Sequence, residues 1–197
     1  MMRGTETTLA EWDTALSELA ALNAMTDFWP EFYPPTIMIA TKMEGGEGIS
    51  LTPVPIPDIM WSAADNPAKL ISSLSVAQKT ARVISDPPEG VLIAGVAFVG
   101  QAWSLEVKAT DDFSDKKFLE EAERLGGISK HPDTKEMRMH VAADTSGHIY
   151  SVLQVRGQDV SPISSTRNGD YQGGHVADAL LSFCSALIDT DIQPQGK

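Results

Sequence analysis

The chain has 197 residues, of which 42% are hydrophobic and 21% charged, an ordinary globular composition that predicts a single domain over 1–197. Its formal net charge of −12 argues against direct binding to nucleic acid, because phosphate recognition needs a clustered basic surface. No window approaches the roughly 18 apolar residues that a membrane span needs, and the start has no signal-peptide pattern, so we expect a cytoplasmic protein with no membrane contact.

The acidic excess lies mainly in the N-terminal third. Residues 1–66 hold ten acidic side chains against only Arg3 and Lys42. Solubility is the commonest reason for such an excess, while an acidic face that binds a partner and an imitation of a polyanion are the alternatives. The single cysteine, Cys184, cannot form an internal disulfide, and we expect it to be a small core residue in a reducing compartment.

An amphipathic helix is predicted over residues 8–25, with Thr7 or Thr8 as its cap. Its apolar stripe consists of Leu9, Trp12, Leu16, Leu19 and Leu22. Four aromatic residues within six positions follow, and they are expected to close one end of the core or to form a surface that binds a partner. These partner-binding candidates are Phe28, Trp29, Phe32 and Tyr33.

The next segments predict a strand, an irregular stretch and a second helix. Residues 36–42 are rich in β-branched side chains between prolines and glycines, which is typical of a strand. Residues 44–66 are rich in proline and glycine, and their apolar side chains predict an ordered loop or edge segment that packs against the core. Asn66 and Pro67 then begin a helix predicted to reach residue 84, with Gln78 on its outer side.

A central strand is predicted over 91–99, because it is apolar on both faces. A two-residue turn at Gly100 and Gln101 would pair Phe98 with Trp103 and make a hairpin. The stretch 109–135 then forms a polar insertion, and it contains a short helix over 114–125.

Residues 136–156 predict a second hairpin in one register. A three-residue loop ending in Gly147, in the left-handed conformation, places Asp144 opposite His148. In that register apolar side chains share one face and polar ones share the other. The predicted pairs are Ala143 with Ile149, Val141 with Ser151, Met139 with Leu153, Met137 with Val155, Arg138 with Gln154 and Glu136 with Arg156.

A polar loop over 157–174, a final helix over 175–188 and a flexible tail over 189–197 complete the chain. The predicted fold class is therefore α+β. We expect one mostly antiparallel sheet of about five strands, packed with three main helices near 8–25, 67–84 and 175–188.

Catalytic motifs are scarce. The run from Asp144 to Gly147 has one residue too many for the aspartic-protease signature and has no second copy, so it predicts a turn. The sequence has none of the common metal-binding, nucleotide-binding or serine-hydrolase spacings, and we predict neither a metal nor a cofactor. If the protein is a hydrolase or transferase, its catalytic candidates are His140, His148, Asp144 and Tyr150. The plainer interpretation of Asp144 and His148 is a surface ion pair.

The segments PPEGVLIAGVAFVGQAWSLEV and HPDTKEMRMHVAADTSGHIYSVLQVRG resemble uncharacterised proteins of actinobacteria and their phages. The resemblance covers about a third of the chain, carries no catalytic residue and implies a small soluble protein that a phage could encode. We therefore rank first a non-enzymatic acidic protein that binds a host or viral protein in the host cytoplasm. A structural component of a virion or other homo-oligomer is the first alternative, and the hydrolase or transferase is the second.

Overall fold

A computed structural model of the chain describes residues 2–25, 35–64, 66–105, 115–132, 134–156, 158–167 and 175–189. Its strands form one antiparallel sheet in the order β2-β1-β3-β4-β5-β6. The described elements, in chain order, are α1 (Leu9–Met25), β1 (Thr36–Met43), β2 (Ser50–Pro53), α2 (Asp58–Ala63), α3 (Pro67–Ala81), β3 (Val91–Leu105), α4 (Asp115–Arg124), a 3₁₀ turn (Ile128–Lys130), β4 (Thr134–Asp144), β5 (His148–Val155), β6 (Ser164–Arg167) and α5 (His175–Ile188).

Helices cover both faces of the sheet. On one face α5 packs against β3 and β4 through residues such as Leu180 and Phe183, and α3 packs beside α5. On the other face α1 places Trp12 and Leu16 over a second apolar cluster that includes Val152. Because each face of the central strands meets a helix, β3 is apolar on both sides, as the sequence predicted.

A bulge in β3 brings α1 close to the sheet. The pairing of β1 with β3 shifts between Ala40 and Thr41, so two consecutive residues, Ala94 and Gly95, face α1. A Cβ atom on Gly95 would lie 2.2 Å from the carbonyl oxygen of Ala143 and 2.9 Å from the Trp12 ring. Glycine is therefore required at this position, because the indole packs directly on the strand backbone.

The N-terminal segment adds a short parallel contact to the same strand. Gly4 pairs with Ile93, with hydrogen bonds from Thr5 N to Ile93 O and from Ile93 N to Arg3 O, each 2.9 Å long. This pairing buries Met2 against the core.

Several predictions are confirmed. The α+β class, the helices near 8–25 and 175–188, the strand at 36–42 and the short helix at 114–125 are present. The hairpin of β4 and β5 has the predicted register from Met137–Val155 to Ala143–Ile149, and Gly147 has a φ of 86°. Glu136 and Arg156 form the expected ion pair at 3.1 Å. Cys184 is a buried core residue, and burial raises the pKa of its thiol.

The predicted turn at Gly100 and Gln101 is wrong. Strand β3 runs without interruption from Val91 to Leu105, and Trp103 pairs with Glu136 instead of Phe98. Glycine occupies position 100 because the Phe98 ring folds over it, so that a Cβ there would lie 2.5 Å from the ring. Glycine is favoured both in a tight turn and where another group packs closely on the backbone, because it has no side chain. The local sequence does not distinguish these two cases.

Other predictions needed smaller corrections. The sheet has six strands instead of about five, because the polar loop contains β6. Irregular residues 44–66 include edge strand β2 and the short helix α2. On α1, Leu9 and Leu22 are exposed.

Helix α3 ends three residues before the predicted position 84. It stops at Ala81, where Arg82 takes a left-handed conformation with a φ of 47°. Gln78, predicted on the outer side, is buried and accepts a 2.8 Å hydrogen bond from Ile84 N. Burial of the Gln78 side chain is tolerated because it hydrogen-bonds a backbone group that has no partner within the helix.

The aromatic segment 28–33 and residues 190–197 of the predicted tail lie outside the described residues, and the single-domain assignment stays a prediction. Among the described helices, none is both long enough and apolar enough to cross a membrane.

Candidate functional site

The sequence-predicted carboxylate Asp144 lies at the end of β4, where it closes the β4–β5 turn. Its Oδ1 accepts hydrogen bonds from the backbone N–H groups of Ser146 and His148, at 2.9 and 2.8 Å. Its Oδ2 accepts a 2.9 Å hydrogen bond from the Tyr150 hydroxyl and lies 3.2 Å from His148 Nδ1. Thr7 adds a contact of 3.3 Å to Oδ2. The carboxylate is fully buried, and these partners compensate its lost hydration.

Helix α1 covers this carboxylate from above. Trp12 donates a 2.9 Å hydrogen bond from its indole nitrogen to Thr7 Oγ1, and its ring stacks on Tyr150 at a centroid distance of 5.3 Å. Burial, followed by the neighbouring Asp144 carboxylate, raises the pKa of Tyr150, so the phenol stays protonated and continues to donate. We call Thr7, Trp12, Asp144, His148 and Tyr150 the Asp144 cluster.

The predicted contact between Asp144 and His148 is present at 3.2 Å, but its predicted position at the surface is wrong, because Asp144 is fully buried. The His148 side chain is 31% exposed and forms the outer wall of the cluster. The pattern of alternating residues placed the two side chains opposite each other, but it carried no information about the helix packed over them.

The fourth catalytic candidate lies apart from the other three. His140 is fully buried, opposite Val99 on one side and Val152 on the other. Burial is the main cause that lowers its pKa to about 4, and the charge of Arg138 lowers it further, against the opposing effect of a backbone hydrogen bond with Val152. The structure therefore groups Asp144, His148 and Tyr150 and separates His140 from them.

The polar side of the hairpin is buried, which its sequence pattern does not indicate. Arg138 and Gln154 are opposite each other in the β4–β5 ladder, and both are almost fully buried beside His140. Gln101, on the neighbouring strand, hydrogen-bonds Glu136. Most buried polar atoms in proteins have a hydrogen-bond partner, but none of the described residues provides one for Gln154 Oε1.

A cavity of about 470 Å³ lies elsewhere, beneath the proline-rich segment. We call it the apolar pocket. Its floor is formed by β1 and the start of β3, and its walls are formed by residues 52–56, Met60 of α2, Leu74 of α3 and the segment that follows α3. The lining residues are Met2, Ile39, Thr41, Thr52, Pro53, Val54, Pro55, Ile56, Met60, Leu74, Val83, Ile84, Ser85, Pro87 and Ile93.

Proline explains why the walls of the pocket stand away from the sheet. Val54 makes the last hydrogen bond of this edge, donating to Ile37 O at 2.8 Å. Pro55 and Pro57 have no N–H group and hold the chain extended, so the segment leaves the ladder. On the opposite side, Pro87 keeps the loop after α3 extended in the same way. Two stiff segments thus face each other without closing together.

The pocket was missed in the sequence, although one signal for it was present. The sequence predicted that apolar residues of 44–66 pack down, and Val54 and Ile56 do pack against the core. Ile59 and Met60 do not: they are 76% and 40% exposed, and α2 has no buried residue. The alternation of proline with apolar residues indicated a stiff apolar wall but not the gap that it encloses.

Charges of both signs lie near the pocket. The wall segments 52–60 and 83–91 contain Asp58, Asp86 and Glu89, and the basic residues Lys79 and Arg82, just before the second segment, line a small neighbouring pocket together with Asp86. Both basic residues of the N-terminal third are already in ion pairs, Arg3 with Glu44 at 3.2 Å and Lys42 with Glu11 at 2.5 Å.

The Lys42 ion pair is largely shielded, and the hydrogen bond from Lys42 is the main cause that lowers the pKa of Glu11 to about 2. Both side chains of the pair are more than four-fifths buried.

Within the part of the chain that the structure describes, no three His, Cys, Asp or Glu side chains are grouped so as to hold a metal ion. Comparisons of the chain with protein-family models, with curated proteins and with solved structures found no match.

Proposed function

We propose that this chain is a non-enzymatic binding protein whose apolar pocket receives an apolar group of its partner. The observation that carries the proposal is the pocket itself. Fifteen of the described residues line it, and of these only Thr41, Thr52 and Ser85 have polar side chains and none is charged. Pockets of several hundred Å³ with mostly apolar walls are typical ligand sites.

An unfilled apolar cavity also needs a reason to persist. Loss of buried contacts around a cavity costs stability in proportion to its volume. The two proline-stiffened walls keep this cavity open, since they cannot collapse onto the sheet. A binding role is the reason that we infer for retaining it.

The Asp144 cluster supports catalysis less well. Its carboxylate already accepts hydrogen bonds from the turn, from Tyr150 and from Thr7, so its contacts are those of a structural cap. The contact of His148 Nδ1 with Asp144 at 3.2 Å would orient the imidazole for base catalysis, and this single feature keeps the hydrolase or transferase as the second candidate. For the virion-component alternative, the expected apolar surface near 28–33 lies outside the described residues.

The proposed function is tested by titrating the protein with Nile red, a neutral apolar dye whose emission rises in apolar surroundings. We expect saturable binding of about one dye per chain. Thr41 lies on the pocket floor, so Thr41→Trp should fill the cavity and weaken dye binding at least about tenfold, which corresponds to about 1.4 kcal/mol.

The matched control is Thr80→Trp, because Thr80 is an exposed threonine of α3 that does not line the pocket. It should bind the dye as the wild type does. Thermal unfolding of both variants confirms that they are folded. Absence of saturable binding to the wild type, or equal binding to both variants, would contradict the proposal.

A further inference from the structure

We propose that Met60 is an oxidation site, and that its conversion to the sulfoxide weakens the binding of apolar groups in the pocket. The inference rests on the proposed function, and it adds a means by which binding at that same site is regulated. Three observations support it: the exposure of Met60, its place in the pocket lining, and the lack of buried residues in α2.

Met60 combines solvent exposure with contact to the pocket. It is 40% exposed and lines the cavity. Met2 also lines the cavity but is only 4% exposed, and Met38 and Met137 are buried outside the lining. Met43 is 61% exposed but does not line the pocket. Among the methionine side chains that the structure describes, Met60 alone is therefore both open to a dissolved oxidant and part of the binding surface.

The oxidant that we name is a peroxide, for which hydrogen peroxide is the simplest case. A lone pair of the thioether sulfur attacks one peroxide oxygen, so that an S–O bond forms and the O–O bond breaks. The sulfur loses two electrons, and hydrogen peroxide is reduced to water. The product is a polar side chain in place of an apolar one, and reductases can return it to methionine.

The polarity of the sulfoxide is what opposes binding. In the unoccupied pocket, water can hydrogen-bond the sulfoxide oxygen, because Met60 lies at the exposed rim. An apolar group that fills the cavity displaces this water and has no donor to replace it. Burial of an acceptor without a partner is unfavourable. We therefore expect the oxidised protein to bind apolar groups more weakly than the reduced one.

The position of Met60 in α2 lets the pocket change without loss of the fold. This helix has six residues, none of them buried, and no side chain caps its N-terminus. A polar group on such a helix does not enter the core, whereas a sulfoxide on buried Met38 would. Oxidation of Met60 is therefore a local change in the pocket wall and not damage to the protein as a whole.

The experiment treats the folded protein with dilute hydrogen peroxide and removes the excess with catalase before Nile red is added. Peptide mass spectrometry measures the sulfoxide at each methionine. Met60 and Met43 should be oxidised at least about fivefold faster than Met38 and Met137, because they are exposed. The Kd for Nile red should rise at least about tenfold, and methionine sulfoxide reductases should reverse the rise.

Two variants separate Met60 from the other exposed sulfur. Met60→Leu and the matched control Met43→Leu each remove one exposed thioether, and each variant is compared with itself before and after treatment. Oxidation should raise the Kd of Met60→Leu less than about twofold and that of Met43→Leu at least about tenfold. Met60→Gln, which places a polar side chain there without oxidation, should bind Nile red about as weakly as the oxidised wild type. Thermal unfolding confirms that each protein remains folded.

The outcomes distinguish this inference from the proposed function. Absence of saturable Nile red binding to the untreated wild type would refute the proposed function before any oxidation. If the untreated protein binds the dye, an equal rise in Kd for the two leucine variants would overturn the inference alone. An unchanged Kd of the wild type with Met60 fully oxidised, or oxidation of Met60 no faster than that of Met38, would overturn it as well.

Discussion

The Asp144 cluster and the apolar pocket differ in how completely their side chains are packed and hydrogen-bonded. In the cluster a fully buried carboxylate accepts hydrogen bonds on both oxygens, and the indole of Trp12 stacks on the phenol ring of Tyr150, one of the donors. In the pocket, apolar walls enclose about 470 Å³ and leave Met60 and Val83 exposed at the rim. The cluster contains the residue types that suggest chemistry, yet its internal contacts are complete. The pocket contains almost no reactive group, yet part of its apolar surface is exposed.

The comparison teaches that residue type alone is a poor guide to a site. Aspartate, histidine and tyrosine in a sequence suggest a catalytic site, but a carboxylate that caps a turn uses its hydrogen-bonding capacity for structure. Apolar residues in a proline-rich stretch do not suggest a site, although a large exposed apolar surface in a folded protein often marks one. If the two regions differ in this way, substitutions in the cluster should mainly change stability and substitutions in the pocket should mainly change binding.

The largest expected effect is that of Asp144→Ala. The substitution removes the acceptor of the Ser146 and His148 backbone N–H groups and of the buried Tyr150 hydroxyl, and we expect the free energy of unfolding to fall by about 4 kcal/mol. Urea denaturation followed by circular dichroism measures it. Glu18→Ala, at an exposed position of α1, is the control and should change it by less than about 0.5 kcal/mol. A small loss at Asp144 together with lost turnover of some substrate would reverse the roles assigned to the two regions.

A second large effect concerns His140 and pH. Its pKa is lowered from 6.5 to about 4 in the folded protein, so the unfolded chain takes up the proton first as the pH falls. The stabilisation is complete above pH 6.5 and is lost between pH 6.5 and 4, by about 3 kcal/mol at most. His140→Gln should lack this part of the pH dependence.

Unfolding curves of the wild type and of His140→Gln at several pH values between 7 and 4 measure the effect. His175→Gln, at an exposed position at the start of α5, provides the control for replacing a histidine. Parallel pH profiles for the wild type and His140→Gln would show that the buried imidazole contributes nothing to this dependence.

The smallest expected effect on stability belongs to the pocket rim. Val83→Ser removes an exposed apolar side chain, and the free energy of unfolding should change by less than about 0.5 kcal/mol. Nile red binding should nevertheless weaken about threefold or more, because the substitution removes apolar surface from the rim of the pocket. Val76→Ser is the matched control, since Val76 is an exposed valine of α3 outside the pocket lining. A loss of stability without a loss of binding would mark the rim as structural.

The sequence was sufficient where local chemistry decides structure. The hairpin of β4 and β5 could be predicted residue by residue, because Gly147 sets the turn and alternation sets the register. The N-cap of α3 was equally local: Asn66 accepts a 3.0 Å hydrogen bond from Lys69 N. In both cases the deciding residues lie within a few positions of one another.

The sequence was insufficient to predict structure where contacts between distant segments determine the conformation. Gly100 resembled a turn residue because the ring that covers it cannot be seen in the sequence, and the bulge at Gly95 depends on Trp12, more than eighty positions earlier. The burial of Arg138 and His140 and the formation of the pocket likewise depend on packing between separate elements. Three of the four catalytic candidates could be brought together from pairing alone, but their structural role could not be inferred without the cover that α1 provides.

The hydrogen bond between Thr7 and Asp144 joins residues that are 137 positions apart, and this separation orders events during protein synthesis. At roughly 5 to 20 residues per second, the ribosome needs on the order of ten seconds or more to reach Asp144 after Thr7 has been made. During that interval α1 has no β4–β5 surface to cover, and its apolar residues Trp12 and Leu16 remain without their final contacts. We therefore expect the acidic residues concentrated in the first 66 positions to keep the nascent chain soluble at the time when it has least structure.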